Sequence, residues 1–338
     1  MISSQQNLGV FERFRDPLGK ALRAAPLGSR HRIDRFWVMD RVGDPVFPYQ
    51  GTCKRTYFAV AEAMAHFRVF VAQSQNAVTC KREVEVLTML RGVPGVIQPL
   101  LIQKEGELTW IITDLYNLGD LLIYLETPAY RVNSDESLLI AYRVATAVSH
   151  CHEKRMVLRD LKIDNVLVRR KEDGAIDVVV TDFGLTHFLG KDNDSMKNIG
   201  TIGHIPPEDY REIQVRGRTT HTSEYRDLWA LGDIFFSLQT KGSITTTVWP
   251  AKNRARVIYY LHLLNSYNLG KLGDLTRQLL SERQVGRPTA RRVAQVIEVM
   301  IEGEQHALQA HREAEAVIRV ASEGLFQRFR RALTCCLP

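Results

Sequence analysis

The run Leu158-Arg-Asp-Leu-Lys-Ile-Asp-Asn-Val-Leu-Val168, followed after a short polar insert by Asp177-Val-Val-Val-Thr-Asp-Phe-Gly184, decides how the rest of the chain is read. Val166–Val168 and Val178–Val180 have the length and β-branching of short buried strands. Lys171-Glu-Asp-Gly174 between them is a hairpin-type turn. Such a hairpin holds Asp160, Lys162, Asn165 and Asp182 near one another. Two carboxylates, an amide and an ammonium are what transfer of a phosphoryl group requires. One acid accepts the hydroxyl proton, the other acid and the amide hold Mg²⁺, and the cation offsets phosphate charge.

The chain's 338 residues are ample for a two-lobed body with a buried core. A net charge of +7 suits anionic partners without choosing among them. There is no zinc-spaced cluster and no nucleic-acid motif, so nucleic acid is not an expected partner. Five cysteines (Cys53, Cys80, Cys151, Cys335 and Cys336) do not form a disulfide framework. No apolar run approaches a membrane span. The start, Met-Ile-Ser-Ser-Gln-Gln-Asn7, lacks the apolar core of a signal peptide, and read literally the sequence is cytoplasmic.

Arg159-Asp-Leu-Lys-x-x-Asn165 followed by Asp182-Phe-Gly184 resembles the catalytic loop and D-F-G motif of the eukaryotic protein kinases, serine/threonine type. The resemblance covers about residues 33–300. It implies an α+β, bilobal protein-kinase-like fold, with a small β-rich N-lobe (33–116) and a larger, mainly helical C-lobe (117–300). A basic N-terminal extension (1–32) and a C-terminal helical extension (301–338) flank them. It also implies ATP and Mg²⁺ as cofactors and a protein substrate or regulated protein partner. Asp160 would orient and deprotonate the hydroxyl, Lys162 would stabilise the γ-phosphate, and Asn165 and Asp182 would bind the metal. Gly200-Thr-Ile-Gly-His-Ile-Pro-Pro-Glu208 matches the end of an activation segment, in which Thr201 would hydrogen-bond Asp160 and Lys162. Asp227 would accept hydrogen bonds from the catalytic-loop backbone, and the arginine of Gly286-Arg-Pro-Thr289 would pair with Glu208. Arg159 would meet phosphate on the activation segment, where Ser195 is a candidate phosphosite.

Trp110-Ile-Ile-Thr-Asp-Leu-Tyr-Asn-Leu-Gly-Asp-Leu122, a strand running into a helix, resembles the kinase hinge. Thr113 would be the gatekeeper, the backbones of Asp114 and Tyr116 would face adenine, and Asp120 would meet ribose. The small lobe departs from the family. Phe36–Met39, Thr56–Val60 and Phe67–Val71 read as strands, but the stretch between the first two has Gly43 and Gly51 far apart, with Pro45 and Pro48 between them. Proline removes donors and fixes φ, which disfavours a tight phosphate-covering turn. The third strand offers no lysine: one register puts Phe70 at that position, a second puts Ser74. Lys54 in Gly51-Thr-Cys-Lys54 is either an exposed loop lysine or the relocated cation that with-no-lysine kinases use. Lys81–Leu90 reads as a helix, on which Glu83 is either a solvated charge or the glutamate that pairs with the lysine.

Residues 1–35 carry seven Lys/Arg against three Asp/Glu, with apolar residues at helical spacing. A second basic, aromatic segment, Phe326–Arg331, precedes Cys335 and Cys336. Each is either a packed extension with solvated charges or a candidate peripheral membrane contact through basic termini. The helix end Lys81–Gly92, Pro206-Pro-Glu208 and the degraded glycine loop are similar to the secreted rhoptry-type kinases and pseudokinases of apicomplexan parasites. That likeness would place the protein in a host cell or parasitophorous vacuole. Two functions stand at this point: an atypical serine/threonine kinase, and a pseudokinase serving as a binding scaffold or allosteric regulator.

Overall fold

The computed structural model describes residues 31–38, 54–63, 66–76, 80–128, 130, 132–192, 205–216, 222–240, 270–306 and 309. Gly43–Gly51, Ser195, Thr201, Cys335 and Cys336, residues 1–30 of the first candidate membrane segment and all of the second lie outside them. Six antiparallel strands build the small lobe: β1 (His31–Ile33), β2 (Phe36–Val38), β3 (Lys54–Ala63), β4 (His66–Asn76), β5 (Pro99–Glu105) and β6 (Leu108–Asp114), in the order β1-β2-β3-β4-β6-β5. Strands 36–39, 56–60 and 67–71 expected from the sequence are thus present, the latter two extended at both ends. One face of the sheet carries a cluster of Ile33, Phe36, Val38, Ala59, Trp110 and Ile112, with Tyr57 and Leu101 packed on it. Burial of such side chains is what stabilises an element as short as the β1–β2 hairpin, which alone would be marginal. Helix α1 (Lys81–Met89) joins β4 to β5 and buries Val86 and Leu87.

The hinge leads into α2 (Leu121–Glu126), and then into the long α3 (Ser134–Glu153). Asn133 starts α3 by accepting the Glu136 N–H at 2.8 Å, with Asp135 and Glu136 in its first turn and His150 and His152 in its last. That arrangement satisfies an orphan donor and complements the helix dipole. Val144, Ala145, Ala147 and Val148 of α3 are fully buried. The expected hairpin follows as β8 (Val166–Arg170) and β9 (Ile176–Val180), turning at Gly174 with φ +87°. Two-residue strands β7 (Met156–Val157) and β10 (His187–Phe188) pair beside it. Helices α4 (Pro207–Arg216), α5 (Tyr225–Thr240) and α6 (Gly273–Leu279) complete the large lobe. Gly232 of α5 is required by close approach: a Cβ there would lie 2.8 Å from side-chain atoms of Leu279 and Leu280. The chain divides into a unit over Met1–Ala294 and a second over Gln295–Pro338, of which residues 295–306 and 309 are described, as helix. Among the described residues no helix is long and apolar enough to cross a membrane.

Candidate active site

The loop after β7 is held from below by one buried carboxylate. Asp227, near the start of α5 and 1 % exposed, accepts the Leu158 N–H on Oδ2 at 2.8 Å and the Arg159 N–H on Oδ1 at 3.0 Å. His152 Nε2 donates to the same Oδ2 at 3.0 Å. Arg159 sits in the left-handed region, φ +70°, which costs a side-chain-bearing residue about 1–3 kcal/mol, and the clamp offsets that strain. The chain is thereby turned so that Asp160 follows. Asp160 Oδ2 is 3.2 Å from Lys162 Nζ, both side chains less than one-fifth exposed. Asn165, ending a 3₁₀ turn at Ile163–Asn165, donates through Nδ2 to the Asp160 carbonyl at 2.8 Å and to Oδ2 at 3.4 Å. Three of the four residues singled out in the catalytic run are thus joined by direct contacts.

The fourth is tied in through the backbone. Thr181 N–H donates to the Asn165 carbonyl at 2.9 Å, one residue before Asp182. Asp182 is itself left-handed (φ +63°), and Phe183 beside it is fully buried. These residues fit a hard divalent cation. The Asn165 amide nitrogen is committed to Asp160, which leaves Oδ1 as an acceptor, and Asp182, held left-handed, adds a carboxylate one residue beyond the Thr181–Asn165 bond. Among the described residues there is no cluster of three His, Cys, Asp or Glu able to hold a metal. An ion at Asp182 and Asn165 would take its remaining oxygens from phosphate and water, as Mg²⁺ does.

The hinge is braced to the same hairpin. Leu118 N–H donates to the Val168 carbonyl at 3.1 Å and Val168 N–H to the Gly119 carbonyl at 2.9 Å. Arg169 binds Asp177 across the β8–β9 pair at 2.6 Å, reaches Asp114 at 3.2 Å and lies 4.9 Å from the Tyr116 ring centroid. Burial pushes the Tyr116 hydroxyl well above its ordinary range, so it stays protonated. Asp120 caps α2, its Oδ1 accepting the Ile123 N–H at 2.8 Å. Burial drives its carboxyl up to about 6, with Asp164 adding to the rise.

In the small lobe the register sorts the candidate lysine positions by face. Val71 stands opposite Thr113, Gln73 opposite Ile111, Phe70 opposite Asp114 and Ser74 opposite Trp110. Opposed residues share a face and the period is two, so the Thr113 face of β4 is occupied at 71 and 73, not at 70 or 74. Gln73, not singled out in the sequence, lies on the Thr113 face. Lys54 stands opposite Gln75 and Thr56 opposite Gln73, which puts the Lys54 position on the same face, diagonal to Gln73. A diagonal of that kind spans about 7–8 Å, within the reach of a long side chain. Glu83 on α1 is 3 % exposed, which rules out the solvated-charge reading.

A profile of the protein kinase domain matches residues 53–297. The chain belongs to the protein kinase family. It is 28% identical over 164 residues to the meiosis-specific serine/threonine-protein kinase mek1 of Schizosaccharomyces pombe, covering 46% of this chain and 36% of that protein. It is 26% identical over 215 residues to the calcium/calmodulin-dependent serine/threonine-protein kinase 1 of Oryza sativa, covering 62% and 34%. The liver/testis phosphorylase b kinase gamma catalytic chain of Bos taurus is 28% identical over 158 residues, covering 47% and 37%. The chain therefore spans about a third of the length of these relatives.

Other parts of the kinase core are where the sequence pointed. Arg287 makes a bidentate pair with Glu208, at 2.5 and 2.9 Å, and also donates to the Ser281 and Tyr225 carbonyls. Leu158, at the position where kinases usually carry histidine, is buried. Arg159 donates to His187 Nδ1 at 2.6 Å and to Thr222 Oγ1 at 2.5 Å. Arg169 went unnoticed in the sequence. Its signal was present, because the turn at Lys171–Gly174 fixes a register that sets Arg169 opposite Asp177.

Proposed function

We propose that this kinase-family chain transfers the γ-phosphate of ATP to a serine or threonine hydroxyl of a protein substrate. The observation that carries the reading is the linked set Asp160, Lys162 and Asn165, with Asp182 one residue beyond the Thr181–Asn165 bond. In this reading Asp160 orients the hydroxyl and takes its proton, and Lys162 offsets charge on the γ-phosphate. Asn165 Oδ1 and Asp182 would hold Mg²⁺, which would supply positive charge against the phosphates. Thr201 seats the acceptor beside Asp160. Adenine lies against the hinge backbone at Asp114 and Tyr116 below Thr113, with ribose beside Asp120. Lys54 supplies the cation for the inner phosphates, and Glu83 faces it from α1. The rhoptry-type likeness is carried by the helix end at Lys81–Gly92 and the Pro206-Pro207-Glu208 corner.

One observation favours the second reading, a nucleotide-binding or purely scaffolding pseudokinase: a neutral Gln73 stands on the face where the family carries its strand lysine. The deciding experiment is γ-phosphate transfer from Mg-ATP to a generic protein substrate, with Asp160→Asn as control, run beside a thermal-shift titration with and without Mg²⁺. Transfer lost in Asp160→Asn supports the kinase. A Mg²⁺-dependent shift without transfer assigns a nucleotide-binding pseudokinase, and neither signal assigns a scaffold.

A further inference from the structure

Between α1 and β10 lies a charged contact that the catalytic set does not use. Arg82, next to Glu83 on α1, binds Asp192 Oδ1 through Nη2 at 2.8 Å, 110 residues away in sequence. Its guanidinium carbon lies 4.6 Å from the ring centroid of Phe188 in β10. The other oxygen of Asp192 accepts the Phe188 N–H at 2.8 Å and is 3.7 Å from His187 Nδ1. The same His187 nitrogen accepts from Arg159 at 2.6 Å, and Arg159 N–H is on Asp227. The link from α1 to the residue preceding Asp160 therefore runs from Arg82 to Asp192, through the Phe188 N–H into β10, and from the neighbouring His187 ring to Arg159.

A dianionic phosphate placed among Arg82, His187 and Arg159 would make this connection in a kinase ordered by phosphorylation, through new arginine–phosphate pairs. Here a carboxylate, Asp192, already joins Arg82 of α1 to the backbone of β10. Burial alone would raise the Asp192 carboxyl, but the Phe188 N–H and the Arg82 guanidinium hold it below its ordinary range, so it is ionised at neutral pH. We propose that Asp192 is a positioning residue that takes the place of an activation-segment phosphate, fixing α1 to β10 and the catalytic loop in the unmodified chain. Its consequence for catalysis rests on the kinase reading above; the clamp itself does not.

The test uses the full chain, phosphatase-treated and confirmed free of phosphate by mass spectrometry, with wild type, Asp192→Asn, Arg82→Asp and the exchange Arg82→Asp/Asp192→Arg. Amide hydrogen exchange of residues 81–89 is the primary readout. Wild type should keep its α1 protection after phosphatase treatment. Either single substitution should speed α1 exchange about tenfold, the loss of one charge-assisted hydrogen bond, while the exchange variant recovers most of the protection. In a transferring enzyme, Asp192→Asn should lower kcat with little change in KM for the protein acceptor. Unchanged α1 exchange in Asp192→Asn overturns the proposal, as does wild-type α1 that loosens when phosphate is removed. Clamp-dependent α1 protection in a chain that transfers no phosphate supports the clamp and refutes the kinase reading instead.

Discussion

Asp227 lets the catalytic-loop argument be tested through stability alone. In Asp227→Asn the side chain keeps its shape but has one acceptor oxygen where the carboxylate has two. The wild-type carboxylate accepts from Leu158 N–H at 2.8 Å, Arg159 N–H at 3.0 Å and His152 Nε2 at 3.0 Å, all in a site 1 % exposed. One backbone N–H must then face the new NH₂ group. Stranding a buried donor costs about 1–3 kcal/mol, and the surviving bonds lose their charge assistance. Some is recovered when Arg159, left-handed at φ +70°, relaxes. The expected loss is about 3 kcal/mol, read as a lower urea midpoint at unchanged m. The damage should be local first, with amide exchange at Leu158 and Arg159 rising before that of α3. A loss below about 1 kcal/mol with both amides still protected would refute the claim that Asp227 holds the loop.

Three further outcomes can be measured independently. Replacing either Glu208 or Arg287 strands its buried partner and should cost about 3–5 kcal/mol in denaturant unfolding, with the double replacement costing much less than the sum; additive losses would dismiss the pair. Lys54→Ala should weaken nucleotide binding without moving the melting temperature, and Gln73→Lys should tighten it by about tenfold; unchanged affinity in both would remove the face argument. The Asp120 carboxyl, raised from 3.8 to about 6, binds a proton in the folded chain where the unfolded chain has lost it, so stability falls as pH rises from about 4 to about 6 and is level above. Asp120→Asn keeps the cap, flattens that slope and should add about 1–2 kcal/mol at pH 7; an unaltered slope would show that the carboxyl titrates normally.

What the sequence disclosed follows from how local each signal is. Leu158–Gly184 was legible because its turn, its two β-branched runs and its polar residues all fall within one hairpin, where short-range spacing fixes three-dimensional neighbours. The Asp227 and Glu208–Arg287 contacts span 68 and 79 residues, and pattern alone does not measure such distances; the family resemblance supplied them. Arg82–Asp192 had neither aid. It joins two exposed-looking charges in segments that the sequence treats separately, and only packing of Phe188 beneath the guanidinium brings them together.

The lysine position was open in the sequence for a different reason. Phe67–Val71 alternates, so a strand was certain to be expected there, but alternation gives two faces and does not say which meets the hinge. The face is set by pairing with β6, where Val71 stands against Thr113. A shift of one residue moves every side chain to the opposite face, so Phe70 and Ser74 share one face of β4, and Val71 and Gln73 share the face of Thr113. The same pairing, carried one strand further, puts position 54 on the face that Gln73 shares with Thr113, while position 55 falls on the other. A cation lost from one strand of a pleated sheet is matched from its neighbour only at the same parity, so the joint result of Lys54→Ala and Gln73→Lys tests whether that face is the one that meets nucleotide.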